Sequence, residues 1–169
     1  MNRKTVVFIK SAIFAIGFLG GWGCIALVLR KLDTYINFKI PHGLEPFAIL
    51  LMIAGVSLAF LCVYLFAVRG EGTPAPFDPP VKFVAIGPYR YTRNPMYIGG
   101  LTLLTGCALF LNSSAVLLLV PILAMAFHLF VVYYEEPNLE RRFGESYLKY
   151  KAEVSRWLPG RVRKKLKNI

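Results

Sequence analysis

Charge is scarce in this chain. Only 17% of its 169 residues are charged, nine are acidic and two are histidine. Soluble domains carry about a quarter charged residues, so a water-soluble fold of this length is excluded. Cysteine is equally sparse: Cys24, Cys62 and Cys107 form no CxxC pair and lie in apolar stretches. That pattern argues against a disulfide framework and against a metal site. No G-x-G-x-x-G follows a strand-like run, so no soluble dinucleotide-binding domain is encoded. No nucleic-acid motif accompanies the net charge of +11, which therefore needs another cause.

Apolar length is what the chain has in abundance, with 56% hydrophobic residues. The runs 11–29 and 47–68 contain no charge, and each is long enough for a hydrocarbon core about 30 Å thick. Residues 115–134 add a third long run, interrupted by Pro121 and His128. Residues 96–111 reach only about 24 Å as a helix. The expected fold is an all-α integral membrane protein in a single domain, 1–169. It has four transmembrane helices, the third short, and a C-terminal cytosolic amphipathic helical tail. The first run follows Arg3 and Lys4 but ends in Arg30-Lys31 without a small-x-small cleavage site, so it reads as a retained helix. Its Gly17-x-x-x-Gly21 permits close helix packing.

The basic residues sort by side. Seventeen of the 20 Lys and Arg fall in the N-terminus, the 69–93 loop and the segment after Glu135; Arg30, Lys31 and Lys39 occupy the other side. This asymmetry places both termini in the cytoplasm. Attraction to an anionic cytoplasmic leaflet then accounts for the positive charge without nucleic acid. His42 reads as a solvated loop residue. Four prolines in 72–80 suggest a semi-rigid extended spacer. In the tail, Leu139, Phe143, Tyr147, Tyr150, Val154 and Trp157 recur at helical steps, with a break near Gly144. They predict an amphipathic helix lying on the membrane, Trp157 at the interface and the basic 161–167 stretch beyond.

The stretch "GPYRYTRNPMYIGG", residues 87–100, places Arg90, Arg93 and Asn94 at the mouth of the short helix. Asn94 suits a helix N-cap and Pro95 the first helical position. Free N–H groups at a submerged helix start, with the two arginines, suit an anion such as a carboxylate. The alternative is that the arginines snorkel to headgroups and Tyr89, Tyr91 and Tyr97 form an aromatic belt. Helix four leaves the membrane on the same side through His128, Glu135 and Glu136, and the short 112–114 turn makes it the antiparallel neighbour of helix three. An anion-binding helix start then faces two carboxylates, a pocket for a zwitterion of the kind S-adenosyl-L-methionine is. His128 is a candidate base or a polar residue satisfied by a neighbouring helix, and Glu135 is the other candidate proton acceptor.

Taken together, "GPYRYTRNPMYIGG" and "YYEEPNLERRFGESYLKYKAEVSRWLP" resemble the integral-membrane family of isoprenylcysteine carboxyl methyltransferases and phospholipid methyltransferases. The resemblance covers about residues 70–159. It implies S-adenosyl-L-methionine as methyl donor and a lipophilic acceptor drawn from the bilayer, in a multi-pass protein of the bacterial inner membrane. It places cofactor contacts on Tyr89, on Asn94, Pro95, Met96 and Tyr97, on Glu135 and Glu136, on Gly99 and Gly100, and within 81–84. Asn94 stands where better-known members have histidine. Val131 and Val132 occupy the turn where prenylcysteine enzymes place a substrate arginine, which implies a different acceptor lipid. The rival readings are an NADPH-dependent sterol-type reductase and a non-catalytic membrane scaffold.

Overall fold

A computed structural model describes residues 3–70 and 83–158, so the proline-rich 72–80 segment and the basic 161–167 stretch lie outside it. Helix α1 (Arg3–Leu29) leads through a 3-10 turn (Arg30–Tyr35) into a short loop. Helix α2 (Glu45–Leu65) ends in a π turn (Phe66–Gly70), and a 3-10 turn (Gly87–Arg90) precedes α3 (Pro95–Phe110). Helix α4 (Ser114–Phe130) runs through a second π turn (Val131–Glu135) directly into α5 (Glu136–Phe143), and α6 (Glu145–Glu153) follows. All the described regular structure is helical. Two continuous helices, Glu45–Gly70 and Ser114–Phe143, are long and apolar enough to cross a membrane, and Pro95–Phe110 is a shorter apolar helix.

Helix α1 begins at Arg3, ahead of the expected 11–29 run, and larger differences lie at the end of the fourth helix and in the tail. The fourth helix does not stop near residue 134; it is helical for 30 residues, to Phe143. Glu135-Glu136-Pro137 does not end it, because Pro137 falls in the first turn after the π turn. There the missing N–H is tolerated. Glycine then ends the helix: Gly144 has φ 51°, a conformation that favours a residue without Cβ. The tail differs more. Tyr147, Tyr150 and Val154 form a buried cluster with Phe83, Ala85, Leu139 and Phe143. The apolar stripe thus packs against the segment before α3, and Trp157 turns back onto α4.

Helices α2 and α3 touch along glycines. A Cβ on Gly55 would lie 2.5 Å from the Leu103 nitrogen, and one on Gly106 would lie 2.8 Å from the Ala48 oxygen. Such contacts let two backbones approach closely, and they fix where α3 begins. At the opposite end, the α4 start is capped twice. Ser113 Oγ accepts from Val116 N at 3.3 Å and Asp33 accepts from Ala115 N at 2.8 Å. Ser114 Oγ also donates to the Phe38 carbonyl at 2.6 Å, tying the 30–44 loop to the α3–α4 turn. Helix α1 packs through Ala26 and Leu29 against Leu104, Ala108, Val116 and Leu117. A Cβ on Gly17 or Gly21 would meet nothing within 4 Å, so the small-residue spacing makes no close packing contact among the described residues.

Candidate functional site

The start of α3, the π turns of α2 and α4, and the α5–α6 pair enclose a cavity of about 360 Å³. That volume is within the range of about 300–1,000 Å³ typical of ligand sites. Nine wall residues are aromatic, among them Tyr89, Tyr97, Phe130, Tyr134 and Tyr147. The polar wall residues are Arg93, Asn94, Glu135, Glu136, Asn138 and Arg142. Phe130 and Tyr134 are 39% and 52% exposed, so that side of the wall also faces outward from the helix bundle.

Helix α3's first turn and the acidic pair meet directly: Tyr97 Oη donates to Glu135 Oε2 at 2.9 Å. Only one carboxylate oxygen of Glu135 is engaged in this bond. Glu136 is in a different situation. Arg156 donates to it through Nε at 2.7 Å and through Nη2 at 3.1 Å. Arg93 Nη2 lies 3.3 Å from the same carboxylate and Lys151 Nζ 3.4 Å. Lys151 also bonds Glu140, and its ammonium pKa is raised, chiefly by that hydrogen bond. The adjacent carboxylates therefore divide: Glu136 is saturated by three cations, whereas Glu135 keeps capacity toward the cavity.

Arg93 supplies the complementary charge. Its side chain is 9% exposed, and its Nε and Nη1 have no hydrogen-bond partner. Buried donors of this kind are costly unless matched. Asn94 occupies the N-cap position of α3 without a side-chain cap bond; its Nδ2 instead donates to the Arg156 carbonyl at 3.1 Å. Burial pushes the Tyr89 phenol well above its usual range, so it is a neutral wall residue. Its carbonyl accepts from Tyr150 Oη at 2.7 Å.

The structure thus brings Tyr89, Arg93, Asn94, Met96, Tyr97, Glu135 and Glu136 to one wall. Others lie elsewhere. Arg90 is exposed and Pro95 is buried at the α3 start. A Cβ on Gly99 would lie 3.0 Å from the Gly55 oxygen, whereas Gly100 meets nothing within 4 Å. His128 is off the cavity wall, and its Nδ1 accepts from Trp157 Nε1 at 3.0 Å. An unbroken helix would stack His128 and Glu135 on one face; the π turn between them takes more residues per turn and rotates Glu135 away. Within 81–84, Phe83 and Val84 are the described positions and both line the wall. Sequence reasoning missed Arg156, Lys151 and Thr92. Their spacing is that of any basic or polar surface residue, and only the fold brings them to Glu136 and Asn94.

The family pattern described as phospholipid methyltransferase matches residues 45–146. An uncharacterized protein of Haemophilus influenzae is 38% identical over 63 residues, which are 37% of this chain and 100% of that protein. Among solved structures, the eukaryotic intramembrane Ras methyltransferase ICMT, isoprenylcysteine carboxyl methyltransferase, superposes with a TM-score of 0.58 at 20% identity. The superposition covers 88% of this chain and 53% of that one, so the chain spans about half the length of that enzyme.

Proposed function

Because the chain belongs to the phospholipid methyltransferase family, we propose that this membrane methyltransferase uses S-adenosyl-L-methionine as donor and methylates a lipophilic acceptor reached from the bilayer. The observation that carries the proposal is the pairing, on one aromatic wall, of a buried guanidinium with unmatched donors and a carboxylate with a free oxygen. A ligand with both a carboxylate and an amine matches that pair. Arg93 Nε and Nη1 hold the carboxylate through charge-assisted bonds, and the open oxygen of Glu135 holds the amine. Tyr89, Met96 and Tyr97 contribute apolar and aromatic surface for the remainder. When bound, this cosubstrate supplies an electrophilic methyl group on a sulfonium.

The chain's own residues have three tasks. The wall aromatics exclude water, which strengthens the interactions at Arg93 and Glu135. Arg93 and Glu135 orient the donor by its two charged ends, so the acceptor arrives against a fixed partner. An acceptor hydroxyl or amine must also lose a proton, and Glu135 can take it on a lone pair that neither Tyr97 nor the donor's amine uses, since a carboxylate offers about four. His128 is a weaker base candidate, since the Trp157 N–H occupies its Nδ1 lone pair. The exposed edge at Phe130 and Tyr134 admits the acceptor sideways, while donor and termini lie on the cytoplasmic side.

The test is calorimetry of the purified protein with S-adenosylhomocysteine, the demethylated product. Binding at micromolar-range affinity is expected, and well-folded protein that shows no heat of binding overturns the reading. Membranes containing the protein, incubated with methyl-labelled donor, then identify the acceptor as the lipid that gains label.

A further inference from the structure

Residues 155–157 tie the mouth of α3 to the α4–α5 helix. The Arg93 amide donates to the Ser155 carbonyl at 3.0 Å. Both the Thr92 hydroxyl, at 2.9 Å, and the Asn94 amide, at 3.1 Å, donate to the Arg156 carbonyl. The Arg156 guanidinium grips Glu136 in a two-pronged bond, and Trp157 reaches His128 on α4. This short strap therefore grips the three residues before α3 and the middle of the long α4–α5 helix at once. None of its residues lines the cavity. It stands behind the wall.

We propose that Arg156 is a positioning residue for the donor site, and that Glu136 acts through Arg156 instead of binding the donor itself. The inference rests on the donor reading above. Glu136 is 4% exposed, and Arg93, Arg156 and Lys151 surround it, which leaves it little capacity for another cation. Joining Glu136 to Arg156 fixes the Arg156 carbonyl, and that carbonyl sets the rotamers of Thr92 and Asn94. The same carboxylate lies 3.3 Å from Nη2 of Arg93, so that ion pair holds the two unmatched donors of the guanidinium in one orientation. A two-pronged guanidinium–carboxylate bond has a planar geometry that lysine does not reproduce.

Calorimetry with S-adenosylhomocysteine on single and double variants tests this. Arg156→Ala, which changes no wall residue, is expected to lower affinity about tenfold, with Glu136→Gln alike and the double variant no worse than either. Arg156→Lys is expected to restore only part of the loss. Melting temperatures measured alongside separate binding from folding, since a purely structural role lowers the midpoint while leaving affinity of the folded protein intact. Folded Arg156→Ala with wild-type affinity overturns the proposal, as do losses that add in the double variant. If Glu136→Gln does not fold, Thr92→Val combined with Arg156→Ala takes its place in the cycle under the same criterion. Absence of binding by the unaltered protein would instead overturn the donor reading, so the two failures are distinct.

Discussion

Glu135→Gln is the sharpest probe of the site. The substitution is nearly isosteric, and the glutamine carbonyl still accepts from Tyr97 Oη, now at 2.9 Å from the carboxylate. The fold therefore stays as it is, while the open oxygen loses its charge. A hydrogen bond to a charged group contributes about 1.5–3 kcal/mol, which corresponds to roughly ten- to a hundredfold weaker binding of an amine-bearing ligand. His128→Ala makes the contrast. It removes only the acceptor for the Trp157 N–H, a neutral bond of about 0.5–1.5 kcal/mol that acts at one remove from the wall. Titration of S-adenosylhomocysteine into each purified variant reads both numbers directly. Unchanged affinity in Glu135→Gln, with binding abolished in His128→Ala, refutes the assignment of the amine to Glu135.

Three further outcomes concern the frame around the site. Gly55→Ala drives a methyl to 2.5 Å from the Leu103 nitrogen and 2.6 Å from the Gly99 oxygen; a loss of about 1–3 kcal/mol or more is expected in thermal melts, and full tolerance refutes the close α2–α3 contact. Asp33→Ala removes the cap on Ala115 N and is expected to cost about 1 kcal/mol, with Asp33→Asn recovering much of it. Alkaline pH gives the third. Burial raises the phenol pKa of Tyr147 and of Tyr150, so the unfolded chain ionises before the native one. Their contribution is complete below about pH 10 and is lost as pH climbs past it. Melting temperatures recorded from pH 8 to 11 should fall at the upper end, less steeply in Tyr150→Phe; a flat profile refutes the burial.

The long apolar runs were legible because membrane thickness and helix rise set their length, and the α3 start was legible because Asn94-Pro95 is local helix chemistry. The glycine break at 144 was legible for the same reason. What escaped sequence reading is what depends on hydrogen-bond pairing or on distant partners. A π turn leaves no compositional trace, so the end of the fourth helix and the facing of Glu135 were out of reach. The periodic stripe from Leu139 to Trp157 was legible as an apolar face and was expected to lie on the membrane, but periodicity says nothing about which surface covers it. Phe83 covers it, with ring centroids 5.4 Å from Phe143 and 5.0 Å from Tyr150. Gly99, a glycine near the motif, packs closely against Gly55 of α2, a contact that its place in the motif did not announce.

The dependence of the α3 mouth on residues 155–157 has a consequence for biogenesis. The ribosome makes Thr92, Arg93 and Asn94 more than sixty positions ahead of the carbonyls that hold them, which lie 62 and 64 residues further along for Asn94 and Thr92. Every membrane helix is therefore translated before the machinery that completes the pocket exists. A nascent chain halted within α6 can be inserted and packed along Gly55 and Gly106, yet it carries a half-built pocket with Arg93 and Glu136 short of a partner.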